Sequence, residues 1–307
     1  MRLTAVAWGV AAAGCSPPDR PPVLSDPLPA PVTALLRPDT VRAARAGAGV
    51  WYRYLWSPVG PWAVHLLEAD LSRCDLSLAV LQARGRTEGG AGRERVSSMV
   101  AREARPVLGA VNGDFFTPEG RTVGSEVVHG RVTTARDRPI LGWKPGAEPW
   151  IGPSRVLGDS VLALGWPVGL REGDRTSEAV GGFPELLARG RRVGDLGIVE
   201  RPGFSASRHP RTSVGYDTRR RRLWLVVVDG RQPPYSNGMT LPELAGLLEA
   251  LGADEAINLD GGGSSVMVVR GRVRSRPSDK NGERPVVNAL ALIRDLARCR
   301  RGGRQAR

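Results

Sequence analysis

The chain has 307 residues, of which 41% are hydrophobic, enough for one large domain or two small ones with a sizeable core. Its formal net charge of +13 suggests nucleic acid as a partner, but the arginines are scattered and only Lys144 and Lys280 are lysines. Aromatic residues make up 5%, too few for an obvious base-stacking platform. A solvated basic surface is therefore the favoured interpretation of the charge, an anionic substrate or envelope polymer comes next, and nucleic-acid binding is the weakest function class.

The N-terminus is typical of an exported protein. After a positive start, residues 3–13 form an apolar run that is too short to span a bilayer, so residues 1–14 are predicted to be a signal peptide. Residues 12–15 (Ala-Ala-Gly-Cys) resemble a bacterial lipoprotein cleavage box, in which Cys15 becomes the lipidated N-terminus. The alternative is that Cys15 is an early residue of an exported pro-segment. Residues 15–48 are rich in proline and predict an extended tether.

These features predict a bacterial cell-envelope protein that contacts the membrane through its lipid anchor alone. In an oxidising compartment Cys74 and Cys299 could form a disulfide, although two free thiols are an equal alternative. The three cysteines and three histidines lack metal-ligand spacing, so no metal site is predicted. Residues 297–307 are basic and are expected to be a disordered tail.

The folded domain is expected to span residues 49–296. Residues 51–56 and 76–81 predict strands, and residues 96–104 predict a helix that leads into a buried strand at 107–111.

The second half of the chain carries the clearest local signals. Residues 212–216 and 223–228 predict a hairpin, and residues 240–243 (Thr-Leu-Pro-Glu) form a capping box that opens a helix ending at Gly252. The helix places Leu244, Leu247, Leu248 and Leu251 on one face. A strand at 256–259 then completes a parallel crossover, and residues 265–269 and 273–275 predict another hairpin. The expected fold class is α+β (mixed α/β), a single domain whose central mixed sheet contains a parallel βαβ unit and flanking β-hairpins.

This topology gathers polar residues at one sheet edge. Asp229 and Asp260 each follow a strand of the crossover, so both should lie at the carboxyl edge, where α/β sheets bind ligands. Arg211 begins the antiparallel hairpin strand near Asp229. If residues 107–111 are also parallel, Asn112 and Asp114 join this edge.

The chemistry of the predicted cluster suits cleavage of a sugar phosphodiester. Two carboxylates, Asp229 and Asp260, provide the acid and the nucleophile or base that a glycosidase needs. The glycine turn at 261–263 can form an anion nest, and Arg211 can grip phosphate in a bidentate manner. Each residue alone could simply belong to a turn or a surface ion pair, but their convergence at one edge favours a functional site. The candidate substrate- or phosphate-binding residues are Arg211, Asn112, Asp114, Asn258, Gly261, Gly262, Gly263, Ser264, Ser265, Asp279 and Arg284.

Several motifs carry a resemblance to a known family. They are 112–116 (Asn-Gly-Asp-Phe-Phe), 211–215 (Arg-Thr-Ser-Val-Gly), 229–231 (Asp-Gly-Arg), 258–265 (Asn-Leu-Asp-Gly-Gly-Gly-Ser-Ser), 277–279 (Pro-Ser-Asp) and 283–288 (Glu-Arg-Pro-Val-Val-Asn). In this order they resemble the phosphodiester glycosidase family over residues 51–293.

The resemblance implies an α+β domain that releases an α-linked N-acetylglucosamine from a phosphodiester, with Asp260, Asp229 and Arg211 functional. Asp114 departs from the family pattern, which often has a small residue there, so it is either an added acid or a change in the pocket. Residues 181–184 (Gly-Gly-Phe-Pro) are a looser match to a loop that lines the sugar site.

Two other functions stay open at this point. One is an envelope lipoprotein that binds phosphorylated glycan without cutting it. The other is a phosphodiesterase that cuts the P–O bond, for which a divalent cation held by Asp260, Asp229 and Asp114 becomes possible. For the glycosidase itself no cofactor is expected. The sequence defines neither the stereochemistry nor the oligomeric state.

Overall fold

A computed structural model of the chain describes residues 27–84, 92–145, 147–164, 175–296 and 299. Within these residues the chain forms four α-helices and twenty strands. The helices are α1 (Ala30–Leu36), α2 (Val96–Arg102), α3 (Pro202–Ser205) and α4 (Leu241–Leu251). The strands are β1 (Thr40–Gly47), β2 (Val50–Ser57), β3 (Trp62–Asp70), β4 (Leu76–Gln82), β5 (Val107–Asn112), β6 (Glu126–Val128), β7 (Arg131–Thr134), β8 (Ile140–Trp143), β9 (Trp150–Gly152), β10 (Ser154–Leu157), β11 (Ser160–Ala163), β12 (Glu178–Gly181), β13 (Glu185–Ala188), β14 (Arg191–Arg192), β15 (Arg211–Asp217), β16 (Arg222–Val228), β17 (Glu255–Asn258), β18 (Met267–Val269), β19 (Arg272–Val273) and β20 (Asn288–Arg294).

The strands form three main sheets and one isolated hairpin. The large sheet has the order β1-β2-β3-β16-β15-β17-β13-β14, the second sheet β19-β18-β5-β20-β4, and the third sheet β7-β6-β12-β8-β9. One core lies between the large and second sheets, where Leu225 and Val227 of β16 join Leu290 and Leu292 of β20. The opposite face of the large sheet is covered by α1 and α4. The large sheet is therefore buried on both faces.

The predicted parallel βαβ unit is wrong, and with it the α+β fold class. Every strand pair within the described sheets is antiparallel, and β15 lies between β16 and β17. The sequence misleads here because a strand buried on both faces is apolar throughout, whether its neighbours are parallel or antiparallel. The fold is a mostly antiparallel β-structure with a few short helices.

Strand β5 also differs from its expected place. It belongs to the second sheet and pairs antiparallel with β18 and β20, so it does not extend the large sheet. The local predictions fare better. The hairpin β15–β16 and the hairpin β18–β19 are present. In α4 the Thr240 hydroxyl accepts from the Glu243 N–H and the Glu243 carboxylate accepts from the Thr240 N–H, and Gly252 ends the helix at φ 93°.

The folded domain begins before the predicted boundary at residue 49. Helix α1 buries Val32 and Leu36 against α4, and β1 pairs with β2 along its whole length. Of the prolines that suggest a tether, Pro29 and Pro31 lie at the start of α1, because proline is favoured in the first helical turn, and those before residue 27 lie outside the described residues.

At the other end, Cys74 and Cys299 form a disulfide across 225 residues of sequence. The predicted signal peptide, Cys15 and the tail apart from Cys299 lie outside the described residues. In the part of the chain that the structure describes, no helix is both long and apolar enough to cross a bilayer.

Candidate active site

A cleft of about 480 Å³ opens where β15 begins and β17 ends. Its walls combine phenylalanine rings, arginine side chains and the glycine turn that follows β17. The lining residues are Phe115, Phe116, Val123, Arg138, Phe183, Arg201, Phe204, His209, Arg211, Arg231, Asp260, Gly261, Gly262, Gly263 and Arg284. A cavity with apolar walls and a few convergent polar groups is the usual form of a small-molecule site.

Asp260 is the carboxylate in this lining. Its backbone is fixed on both sides, since its N–H donates to the Gly113 carbonyl (3.0 Å) and its carbonyl accepts from Asn112 Nδ2 (2.6 Å). Burial raises the pKa of Asp260 to about 6, although a hydrogen bond from Ser264 and the charge of Arg284 both oppose this rise. Asp260 therefore takes up and releases a proton near neutral pH, as an acid or base in catalysis must.

Within the predicted anion nest, the N–H group of Gly262 is used by the protein itself. The Gly262 N–H donates to the Pro210 carbonyl (2.9 Å), and the N–H groups of Ser264 and Ser265 donate to the carbonyls of Gly261 and Gly262 (3.2 Å each). The Ser265 hydroxyl is buried. The N–H groups of Gly262, Ser264 and Ser265 are therefore not free to bind an anion. Gly262 still needs to be glycine because its φ is 60°.

Arg211 is 1% exposed and supports the wall of the cleft. Its Nε donates to the Met239 carbonyl (2.8 Å), and its Nη2 donates to the carbonyls of Phe204 (2.6 Å) and Ser207 (3.1 Å). Burial, with a contribution from the charge of Arg231, lowers the pKa of Arg211 to about 10. A bidentate grip on phosphate is thus not available, but the positive charge remains beside the cleft.

Arg284 and Asp279 form a bidentate ion pair at the turn. Arg284 Nε lies 2.7 Å from Asp279 Oδ2 and Nη2 lies 2.9 Å from Oδ1. A Cβ atom on Gly263 would collide with both partners, so the turn and the ion pair pack directly against each other. Arg284, predicted from the closing motifs, therefore lines the cleft, and Asp279 orients its side chain.

Several lining residues carry no clear signal in the sequence. Phe183 has the guanidinium groups of Arg138 and Arg201 over its ring, at 5.4 and 5.7 Å from the centroid. His209 Nδ1 lies 3.3 Å from Arg231 Nη2, and burial lowers the pKa of His209, so it is neutral and accepts from Arg231. The 181–184 motif pointed to Phe183 and the 229–231 motif contains Arg231, whereas Arg138 and Arg201 could not be distinguished from surface charge.

Asp229 does not line the cleft. It is 1% exposed, and its carboxylate accepts hydrogen bonds from Tyr235 Oη (2.9 Å) and the Arg276 N–H (2.9 Å) and lies 2.9 Å from His65 Nε2. His65 Nδ1 in turn lies 2.8 Å from Tyr52 Oη. The structure thus places Asp260 in the lining of the cleft and Asp229 outside it, enclosed by its own hydrogen-bonding partners.

Two buried asparagines join the elements that build the site. Asn112 Oδ1 accepts from the Thr212 hydroxyl (2.8 Å) and the Val266 N–H (3.2 Å), which ties the large sheet to the second sheet. Asn258 Nδ2 donates to the Phe183 carbonyl (2.7 Å) and so holds that ring at the cleft. Both predicted residues therefore support the lining from behind.

Asp114 is 2% exposed and lies near Asp260 without entering the lining. It accepts from the N–H groups of Phe115 (2.8 Å) and Gly124 (2.7 Å). Burial raises the pKa of Asp114 to about 7, with smaller contributions from the negative charges of Glu126 and Asp260. Across the described ranges no group of three or more His, Cys, Asp or Glu side chains is arranged to hold a metal ion.

Comparison with known proteins places this geometry in a family. Residues 106–293 match the model of the phosphodiester glycosidase family, so the chain belongs to that family. The N-acetylglucosamine-1-phosphodiester α-N-acetylglucosaminidases of Bos taurus and Mus musculus are 45% and 44% identical to it over 69 residues. A prophage-derived protein of Bacillus subtilis is 28% identical over 213 residues. These alignments span 22%, 22% and 66% of this chain but 12%, 13% and 30% of the relatives.

Solved structures share the fold. A hypothetical protein from Synechocystis superposes with a TM-score of 0.63 at 17% identity, over 83% of this chain and 64% of its own. The catalytic domain of the zebrafish N-acetylglucosamine-1-phosphodiester α-N-acetylglucosaminidase, auto-inhibited by its pro-peptide, gives 0.56 at 22% identity, over 83% and 82%. A protein from Burkholderia pseudomallei described as exported gives 0.57 at 23% identity, over 76% and 74%.

Proposed function

We propose that this chain is an exported hydrolase that cleaves an α-linked N-acetylglucosamine, or a similar sugar, from a phosphodiester in a glycan or envelope polymer. The observation that carries the proposal is the cleft that brings Asp260, a carboxylate with a raised pKa, together with the charges of five arginines. Membership of the phosphodiester glycosidase family supports it.

The charge of the cleft suits a phosphodiester. Its lining contains five arginines and one carboxylate, so an anion gains favourable electrostatic energy there. Phenylalanine rings in the lining offer apolar surface to a sugar, and the guanidinium charges favour an adjoining phosphate. Preorganised positive charge of this kind stabilises charge that develops in a transition state without the cost of reorganising solvent.

One carboxylate in the cleft is sufficient for this reaction. Breaking the sugar C–O bond of a phosphodiester releases a phosphomonoester, whose conjugate acid has a pKa of about 6. Such a group leaves without first taking a proton from an acid, especially beside Arg284 and Arg211. Asp260, in its ionised form, then acts on the anomeric carbon, either directly or through a water molecule that it deprotonates.

Asp229 takes a positioning role in this proposal. Its carboxylate holds Tyr235 at one end of the loop that carries Arg231, and it fixes the backbone of Arg276. Arg231 lines the cleft, so the loop that Asp229 anchors forms part of the substrate wall.

The test is hydrolysis of an α-N-acetylglucosaminyl phosphodiester by the purified chain, run in ¹⁸O-labelled water with and without EDTA. We expect free sugar from the wild type and a loss of more than a thousandfold in kcat for Asp260→Asn. Asp195→Asn is the matched control, since Asp195 is an exposed carboxylate outside the cleft. The label should appear on the sugar.

Other outcomes would replace the proposal. Label on the phosphate would identify a phosphodiesterase that cuts the P–O bond, and loss of activity with EDTA would add a divalent cation. Tight binding of the phosphodiester by folded protein without any turnover would identify a phosphoglycan-binding protein.

Export and anchoring are proposed on the sequence of residues 1–15. We expect the chain expressed in a bacterium to fractionate with membranes and to be released by Cys15→Ser. Equal membrane association of the variant would overturn the lipid anchor and leave the hydrolase proposal unaffected.

A further inference from the structure

A second groove, of about 590 Å³, lies on the large sheet beside the buried Asp229. It runs between strands β1 to β3 of the large sheet and the β18–β19 hairpin of the second sheet. Its lining residues are Thr40, Arg42, Tyr52, Tyr54, Trp56, His65, Tyr235, Val273 and Arg274. None of them lines the cleft that contains Asp260.

Aromatic rings form the floor of this groove. Tyr52, Tyr54 and Trp56 alternate along β2, so they project from one face of the strand, and each is partly exposed. Their orientations are fixed, since Tyr52 Oη lies 2.8 Å from His65 Nδ1 and Trp56 Nε1 donates to the Tyr235 carbonyl (2.9 Å). A ligand would therefore meet a preorganised aromatic surface, which lowers the entropic cost of binding.

The rim of the groove is positively charged. Arg42 and Arg274 are exposed, and neither has an ion-pair partner among the described residues. Arg274 lies over the Tyr52 ring, 5.8 Å from its centroid. The groove has no carboxylate in its lining, and the nearby Asp229 is covered by three hydrogen-bonding partners.

We infer that this groove is a binding site for a glycan that carries negative charge. A pyranose ring presents a flat face of C–H groups that packs on tyrosine and tryptophan, while its hydroxyl groups can bond the polar rims of those side chains. Arg42 and Arg274 are placed to pair with a carboxylate or phosphate on the same ligand. Fixed aromatic rings together with unpaired arginines match this ligand class in both shape and charge.

The groove is separate from the cleft but lies close to it along the chain. Arg231 lines the cleft and Tyr235 lines the groove, and the loop that carries both is closed by a hydrogen bond from the Gln232 N–H to the Ser236 carbonyl (3.0 Å). Binding in the groove does not require hydrolysis in the cleft. Glycan binding in the groove can therefore be tested independently of the proposed reaction.

Calorimetric titration of the full chain with three tetrasaccharides tests this site. The probes are maltotetraose, a phosphate ester of maltotetraose, and tetragalacturonate, so charge and its chemical source are separated. We expect the two anionic probes to bind at least about tenfold more tightly than maltotetraose. Tyr54→Leu and the double variant Arg42→Ala/Arg274→Ala should each weaken binding by about tenfold or more.

Two control variants separate this groove from other arginine-rich surfaces. Arg45→Ala alters an exposed arginine on the same strand, β1, but at a position of opposite side-chain direction, and should leave binding unchanged. Arg231→Ala alters the cleft and should also leave it unchanged. Loss of binding in Arg231→Ala with retention in the groove variants would place the ligand in the cleft and overturn the inference. Equal affinity for maltotetraose, or no binding of any probe by folded protein, would also overturn it.

Discussion

Asp260 should lower the stability of the folded protein at neutral pH, and replacing it should reveal how much. Its pKa rises from 3.8 to about 6 because burial disfavours its charged form. The folded state therefore holds the Asp260 proton more tightly than the unfolded state does. Stability is fully present below about pH 4 and falls as the pH rises through about 6.

The size of this effect follows from the shift. A change of about two pKa units corresponds to about 3 kcal/mol once Asp260 is ionised, and partial exposure reduces this to about 2 kcal/mol. Asp260→Asn removes the charge but keeps an oxygen that can accept from Ser264. At pH 7.5 the variant should melt roughly 4–8 °C above the wild type, while at pH 4 the two should melt together.

Thermal unfolding followed by circular dichroism from pH 4 to 8 measures the difference. Asp195→Asn provides a control of opposite sign, since backbone N–H groups of Val199 and Gly197 lower the pKa of Asp195. Equal melting temperatures of wild type and Asp260→Asn at every pH would refute the raised pKa. A variant that becomes less stable than the wild type as pH rises would show that the attraction between ionised Asp260 and Arg284 outweighs the cost of burial.

Three further variants test the site and the disulfide. Asp229→Asn should lower the free energy of unfolding by about 1–3 kcal/mol in urea titrations, because the Asp229 oxygens accept from three donors. Its kcat/KM should stay far above that of Asp260→Asn. An equal loss of kcat/KM in the two variants would show that Asp229 acts with Asp260 in the reaction. Gly263→Ala should raise KM about tenfold, because its methyl group displaces Arg284 and Asp279. Gly203→Ala, with open space around it, should leave KM unchanged. Unchanged kinetics in Gly263→Ala would refute a role of the Arg284–Asp279 ion pair in binding the substrate. Replacing Cys74 and Cys299 by serine should cost about 2–5 kcal/mol of stability by calorimetry, and an unchanged melting temperature would contradict a stabilising crosslink.

Local structure could be predicted where a sequence motif is compatible with a single backbone structure. The capping box at Thr240 and Glu243 defines the start of α4, and the polar turn between β15 and β16 defines a hairpin. The order of strands was not predictable, because Leu223 to Val228 are apolar for a reason common to parallel and antiparallel sheets: both faces are covered. Arg211 and Arg284 could be predicted from their motifs, whereas Arg138 and Arg201 could not be distinguished from the many other arginines, since their convergence depends on loops from distant parts of the chain.

Asp229 and Asp260 lie at the same edge of the large sheet, but strand order alone does not define which face of the sheet each side chain points to. Val227 and Leu259 belong to the same core, between the large and second sheets. Because side chains alternate along a strand, Asp229, two residues after Val227, turns towards that core, while Asp260, one residue after Leu259, turns to the opposite side. Two carboxylates at one edge of a sheet can thus serve different surfaces. In this chain Asp260 faces the arginine-lined cleft and Asp229 lies beside the aromatic groove, so the same edge carries the proposed reacting group on one side and the proposed glycan-binding surface on the other.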